Sequence, residues 1–171
     1  MAGKSQKIIL ECCKCKSAKV LGWCSSGRSC ACEGRMATGY SGTALAKKLG
    51  VKDGQRTWRC GMPATVAEEI GADGVRPVLL KTMESGLEMV HLFVMRRREL
   101  AQLLGEVRPL LTASGTIWVS WPKKTSRVPT DVTDHVVREE AFPLGLVDVK
   151  VCAVDETWSG LKLAIRKTER A

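Results

Sequence analysis

The chain has 171 residues, of which 44% are hydrophobic and 26% are charged. Such a composition is typical of a globular domain with an extension, and it excludes a disordered or fibrous chain. No apolar run approaches the roughly 20 residues that cross a bilayer, and the run 8–10 is too short for a signal peptide, so we expect a cytoplasmic protein with no membrane partner. Because the cytoplasm is reducing, we expect clustered cysteines to bind metal and isolated ones to pack.

Charge and cysteines are both concentrated in residues 1–35. This segment holds seven Lys or Arg against two Glu, a net charge of +5, so only +4 of the total of +9 remains for residues 36–171. Six of the eight cysteines also lie in the segment. We therefore interpret residues 1–35 as a cysteine-rich basic extension and residues 36–171 as the main domain, whose mild charge is that of a solvated surface.

Four cysteines of the extension have the spacing of metal ligands. Cys12-x-x-Cys15 and Cys30-x-Cys32 are two short pairs, and thiolate pairs at such distances can close a tetrahedral zinc site. The second pair is tighter than the usual spacing, and two cysteines are left over. The alternative is a poorly ordered extension that is translated from upstream of a true start at Met36.

From residue 36 onward, the pattern predicts helices that alternate with strands. The first helix is expected to be capped by Ser41 or Thr43 and to end at Gly50. The predicted elements of the first half are, in order, a helix over 44–49, a strand over 55–60, a helix through 67–70 that begins near Pro63 and stops at Gly71, a strand over 75–80 and a strand over 89–95. The last of these is almost continuously apolar, which predicts a place in the centre of the sheet.

The second half continues this alternation and ends in two paired strands. Its predicted elements are, in order, a helix over 97–111, a turn over 113–115, a strand over 116–121, a helix over 131–141 capped by Thr130 or Asp131, and strands over 147–154 and 161–166. Strands that alternate with helices imply parallel pairing through right-handed crossovers. The predicted fold class is therefore α/β, a Rossmann-like layered domain with a mostly parallel sheet and a C-terminal antiparallel hairpin.

The order of elements from Met89 onward, from a buried strand to a closing hairpin, resembles the C-terminal half of class I S-adenosylmethionine-dependent methyltransferases. The resemblance implies a Rossmann-like fold. That family holds its cofactor with a glycine-rich loop after the first strand and an acidic residue at the end of the next strand. Here the loop 61–64 has a single glycine and no acidic residue ends the strand 75–80, so we expect that S-adenosylmethionine is not a cofactor.

Four further segments resemble a bacterial domain-of-unknown-function family, number 3052. They are the segments 41–50, 91–93, 118–124 and 151–162, which read SGTALAKKLG, HLF, WVSWPKK and VCAVDETWSGLK. The resemblance spans about residue 36 to the C-terminus and leaves the cysteine-rich extension uncovered. It implies no activity, because that family has no established one.

A candidate site follows from the positions of the predicted strand ends. In open α/β sheets, ligands bind outside the carboxyl ends of the parallel strands. The candidate ligand-binding residues at that edge are Trp121, Lys123, Lys124, Asp155, Glu156 and Trp158, together with Cys60 and Arg96. Tryptophans beside lysines can stack on a flat ring and hold an anion, so we expect a small anionic or nucleotide-like ligand.

Each of these residues also has a purely structural interpretation. Trp121 can cap the core together with Trp118, the two lysines can begin a solvated loop, and Asp155 can shape the hairpin turn. His91 lies within an apolar strand and is interpreted as a core histidine, and Cys152 is interpreted as a packing residue. No residue is assigned a catalytic role.

Three functions are compatible with the sequence. We favour a noncatalytic binding or regulatory module, a domain that keeps its crevice and has lost its cofactor machinery, because this explains the missing glycines. The alternative is an enzyme, a divergent S-adenosylmethionine-dependent transferase. The third is a nucleic-acid-binding protein that uses residues 96–98, Lys123, Lys124 and the basic extension, although no reader motif is present.

Overall fold

The structure is a computed structural model, and it describes residues 42–170. Several predictions concern other parts of the chain. The zinc-ligand pairs Cys12/Cys15 and Cys30/Cys32, the start at Met36 and the helix cap Ser41 all lie outside the described residues. They stay predictions.

Four α-helices and six strands make up the described part of the chain. In chain order they are α1 (Leu45–Leu49), β1 (Arg56–Cys60), α2 (Ala64–Ala72), β2 (Val78–Leu80), β3 (Leu87–Phe93), α3 (Arg97–Val107), β4 (Leu111–Pro122), α4 (Asp134–Ala141), β5 (Leu146–Ala153) and β6 (Trp158–Ile165). The strands form one sheet in the order β2-β1-β3-β4-β6-β5. The first four are parallel, and β6 and β5 are antiparallel to their neighbours. The Rossmann-like fold class with a closing hairpin is confirmed.

The apolar strand β3 lies between β1 and β4 near the middle of the sheet, as its composition predicts. Six of its seven residues are buried, because helices cover both faces of the sheet there. On one face, Val90 and Leu92 join a core under α3 and α4. On the other face, Met89 and Phe93 join a second core under α1 and α2. We call these the α3/α4 face and the α1/α2 face.

Strand β4 begins earlier than the sequence predicts. The predicted turn 113–115 is wrong, because these residues form an irregularity within the strand: the pairing with β3 passes from Leu87–Leu111 to Met89–Thr116. Gly115 makes this possible, since a Cβ there would lie 2.9 Å from the carbonyl oxygen of Leu87. A strand irregularity of this kind leaves the same small-residue pattern in the sequence as a turn does.

The predicted helix caps are corrected by contacts between distant segments. The start of α1 has no local side-chain cap, so Thr43 does not serve; the carboxylate of Asp73 accepts a hydrogen bond from the Ala46 N–H instead, at 2.7 Å. Asp131 accepts from the Arg97 N–H at 2.6 Å and so caps α3 rather than α4. The cap of α4 is Thr133. A partner supplied by another element is invisible to local capping rules.

Trp118 joins β4 to α1. Its ring is fully buried, and its indole N–H donates a hydrogen bond of 2.8 Å to the carbonyl oxygen of Leu49 at the end of the helix. Gly50 then takes the left-handed conformation, with φ of 75°, that ends α1 as predicted. The indole therefore satisfies a buried carbonyl and fills the α1/α2 core at the same time.

Replacing Trp118 by Phe should destabilise the fold. The variant leaves the buried Leu49 carbonyl unpaired and opens space in the core, so we expect a loss of at least about 2 kcal/mol in the free energy of unfolding, measured by urea denaturation of the full chain. Trp158→Phe is the matched control, because its indole N–H has no hydrogen bond among the described residues. Equal losses in the two variants would contradict this role.

Candidate functional site

The order of the strands places a switch in chain direction beside β1. From β1 the chain passes to β2 on one side, and it then crosses to β3 on the other side. Ligands of open α/β sheets bind in the crevice at such a switch point, outside the carboxyl ends of the two strands. Here those ends are the segments 60–62 and 93–95, which we call the switch crevice.

Gly61 determines how tightly the crevice closes. The residue follows β1 with φ of 65°, and a Cβ at this position would lie 2.7 Å from the carbonyl oxygen of Phe93. No side chain fits there, so the backbone of the loop passes directly against the end of β3. The loop leads at once into α2, whose N-terminus has no side-chain cap from the described residues, so its first backbone N–H groups lie at this edge without an intrahelical partner.

Arg59 is a cation near the crevice, and the described residues give it no counter-ion. Because Trp58 and Cys60 pack against the α3/α4 core, the alternation of β1 turns Arg59 toward the α1/α2 face. Partial burial lowers the pKa of its guanidinium. Within residues 42–170, no carboxylate forms an ion pair with it. A partly desolvated charge without a partner is costly, and an anionic ligand would compensate it.

His91 is the neighbour of Arg59 in the register of β1 and β3. It is fully buried, and its Nε2 lies 2.8 Å from the hydroxyl oxygen of Ser120, which confirms the prediction of a core histidine. Its Nδ1 has no hydrogen-bond partner. Burial, followed by the charge of Arg59, lowers the pKa of the imidazole to about 3. The low pKa favours the neutral form of the ring at physiological pH.

The structure brings Lys123, Asp155 and Trp158 together at the terminal hairpin, but several of the polar groups bind the hairpin itself. The Nζ of Lys123 donates to the carbonyl oxygen of Asp155 at 2.6 Å. The Asp155 carboxylate accepts from the N–H groups of Thr157 and Trp158 at 2.7 and 2.6 Å. This is a side-chain-stabilised turn, the structural interpretation of Asp155. Lys124 and Glu156 are exposed beside it.

Trp121 and Trp158 lie on opposite faces of the sheet. Trp121 is 8% exposed and belongs to the core of the α3/α4 face. Trp158 is paired with Pro122 and packs on the α1/α2 face, where its ring meets that of Phe93 edge-on at a centroid distance of 5.0 Å. The two tryptophans therefore cannot stack together on one ligand. Trp158 alone, through Phe93, borders the switch crevice.

The remaining candidates are Cys60 and Arg96, which lie at or beside the two ends of the switch crevice. The Cys60 side chain packs on the α3/α4 face, and burial, then the charge of Glu99, raises the pKa of its thiol, so it is not an activated nucleophile. Arg96 is exposed before α3. Its neighbour Arg97 binds Glu139 and Glu140 at 2.9 and 2.6 Å, so the protein itself supplies the anions at that helix start.

The described residues form neither a metal-binding cluster nor a membrane-spanning helix. No group of three or more His, Cys, Asp or Glu side chains in this part of the chain is placed to hold a metal ion. No helix within 42–170 is long and apolar enough to cross a membrane. The predicted zinc ligands of the extension lie outside these residues and stay predictions.

No protein-family model and no curated protein sequence matches the chain. Solved structures do share its fold. A putative type 11 methyltransferase from Sulfolobus solfataricus is 12% identical with a TM-score of 0.50, over 73% of this chain and 91% of that one. A SAM dependent methyltransferase from Aquifex aeolicus is 14% identical with a TM-score of 0.49, over 70% and 86%. A ribosomal protein L11 methylase from Lactobacillus delbrueckii subsp. bulgaricus is 11% identical with a TM-score of 0.47, over 71% and 75%.

The likeness to the putative type 11 methyltransferase corrects the expectation of a noncatalytic binding or regulatory module. The alternative, a divergent S-adenosylmethionine-dependent transferase, is taken up as a proposal below. At 12% identity this likeness establishes the methyltransferase-like fold alone, and no family model places the chain in family 3052.

The depressed pKa of His91 should make the stability of the fold depend on pH. His91 is protonated below pH 6.5 in the unfolded chain, but only below about pH 3 in the folded chain. Stability from this residue is therefore present above pH 6.5 and falls toward pH 3, by up to about 1.4 kcal/mol per pH unit. Urea midpoints at pH 7, 6 and 5 should show this slope, and His91→Gln should remove most of it.

If the urea midpoints of the natural chain and of His91→Gln change equally with pH, His91 is not the source of the pH dependence. A second measurement does not depend on the variant being folded: the NMR signals of the His91 ring in the natural chain should not shift between pH 7 and pH 5. A titration midpoint near 6.5 would show that the ring is accessible to protons in the folded state.

Proposed function

We propose that the chain is a divergent S-adenosylmethionine-dependent transferase, and that the cofactor binds in the switch crevice. The observation that carries this proposal is the turn at Gly61, which brings the loop after β1 against the carbonyl of Phe93 at the point where the strand order reverses. A backbone free of side chains at this edge permits the close approach that an adenosyl ligand requires. Family 3052, which the segments 41–50, 91–93, 118–124 and 151–162 resemble, adds no activity to this proposal.

The residues at the crevice fit the amino-acid end of the cofactor. The methionine part carries a carboxylate, and the unpaired guanidinium of Arg59 is a partner for it. The uncapped start of α2 offers backbone N–H groups to the same charge. Trp158, which packs edge-on against the buried Phe93, is partly exposed and offers an aromatic ring, whose face attracts a cation such as a sulfonium. When bound, S-adenosylmethionine supplies an electrophilic methyl group for transfer.

The fit is poorer at the ribose end. The loop has one glycine, and β2 ends at Leu80 followed by Lys81, where the methyltransferase family has an acidic residue for the ribose hydroxyls. Binding through a carboxylate contact and backbone groups explains how a cofactor site can persist without that acid. Affinity then depends more heavily on Arg59 than on any single ribose contact.

Arg59 therefore provides the sharpest test of the proposal. The full chain should bind S-adenosylmethionine and S-adenosylhomocysteine in isothermal titration calorimetry, and Arg59→Gln should weaken both by about tenfold or more, because a hydrogen-bonded charge contact is lost. Arg98→Gln is the matched control, since Arg98 is exposed on α3. The affinity of this control variant for both ligands should stay within about twofold of that of the natural chain, well below the tenfold change that about 1.4 kcal/mol represents.

A ligand without the carboxylate separates this contact from general damage to the crevice. 5′-Methylthioadenosine has no carboxylate for residue 59 to bind. It should therefore bind the natural chain and Arg59→Gln with equal affinity. No binding of either sulfur ligand by the natural chain would reject the proposed function. Equal losses in Arg59→Gln and Arg98→Gln would reject the role of Arg59.

A further inference from the structure

Lysines from three segments meet on the α1/α2 face. Lys48 lies in the last turn of α1, Lys52 follows that helix, and Lys150 and Lys162 lie on β5 and β6. Lys150 and Lys162 are directly paired across the two antiparallel strands. We call these four residues the lysine cluster.

The cluster brings like charges close together. The Nζ of Lys150 lies 3.3 Å from the carbonyl oxygen of Lys48. The Nζ of Lys162 lies beside Gly50 at the end of the same helix, since a Cβ placed on that glycine would be 3.6 Å from it. Burial, then the charges of Lys150 and Lys52, lowers the pKa of Lys162. Like charges directly opposite each other on a sheet are destabilising, so the arrangement is not the one that stability alone favours.

Within residues 42–170, no carboxylate forms an ion pair with the cluster. The ion pairs there join Asp and Glu to Arg56, Arg97, Arg108, Arg138, Arg166 and His135. None of them involves a lysine. The end of α1 contributes partial negative charge, but its Leu49 carbonyl already accepts from Trp118 and its Lys48 carbonyl from Lys150. The described part of the chain thus supplies no negatively charged side chain to offset the four ammonium groups.

The positive field of the cluster reaches the terminal hairpin. Burial raises the pKa of the Cys152 thiol, and the charges of Lys150, Lys48 and Lys123 act in the opposite direction. Lys123 lies at the carboxyl end of β4, where it binds the hairpin turn at Asp155. Lys123 thus extends the positive charge of the cluster to the carboxyl end of β4. The cluster itself lies nearer the middle of that strand, because Lys162 is paired with Trp118.

We propose that the lysine cluster, Lys48, Lys52, Lys150 and Lys162, is a binding site for a phosphate-bearing ligand. Several ammonium groups in one place match a ligand with several negative charges, and lysine binds phosphate as a point charge. A single carboxylate would leave most of the charge uncompensated. The site is separate from the switch crevice and does not depend on the proposed transferase function. The phosphates can belong to a small polyphosphate or to a nucleic-acid backbone.

The double variant Lys150→Gln/Lys162→Gln tests the site in the full chain. Removing two repelling charges should leave the fold as stable as before, so a loss of binding would not be a loss of folding. Arg98→Gln/Lys167→Gln is the matched control, because it removes the same charge from exposed positions elsewhere. The two probes are inorganic pyrophosphate, by calorimetry, and a single-stranded oligonucleotide of about ten nucleotides, by fluorescence anisotropy at two salt concentrations.

We expect the cluster variant to lose at least about tenfold in affinity for one or both probes, which corresponds to about 1.4 kcal/mol. The control variant should lose less than about twofold. Loss for pyrophosphate identifies a small phosphate ligand. Loss for the oligonucleotide alone, with an affinity that falls steeply with salt, identifies a nucleic-acid backbone. No binding of either probe by the natural chain, or equal losses in the two variants, would overturn the proposal.

Discussion

The loop after β1 can pass directly against the end of β3 only because residue 61 is glycine. A Cβ at Gly61 would lie 2.7 Å from the carbonyl oxygen of Phe93, too close for any side chain. The contact occurs where the strand order reverses, so it brings a turn of bare backbone, the start of a helix and the end of the central strand to one edge. Below it, on the α1/α2 face, lie a neutral buried imidazole and an uncompensated guanidinium. The candidate site and the core of the sheet therefore share the same few residues.

Most of the fold could be predicted from periodicity, because its signals are local and continuous. The apolar run that becomes β3 and the spacing that becomes α3 each occupy one segment of chain. The errors concern features that two distant segments make together. Asp73 and Asp131 cap helices far from them in sequence, and the residues around Gly115 interrupt a strand rather than end one. Local rules for caps and turns contain no information about such partners.

The sequence predicts a site around β4 and β6, whereas the proposed site lies at the ends of β1 and β3. The end of β4 does meet the start of β6, yet the hairpin uses Lys123 for its own turn and the two tryptophans, Trp121 and Trp158, lie on opposite faces. The crevice position depends on β1 lying between β2 and β3, an order that no local pattern reveals. The sequence does not single out Arg59 for a related reason, because only the fold shows that it has no ion-pair partner within residues 42–170.

The most direct test of the account maps where the cofactor binds. Amide spectra of the isotopically labelled full chain, recorded during a titration with S-adenosylhomocysteine, should shift first at Gly61 and over 93–95, with smaller changes at Arg59 and at the start of α2. Changes confined to 121–124 and 155–158 would contradict the account by placing the ligand at the hairpin. A titration that leaves the amides of the switch crevice unchanged would contradict it as well.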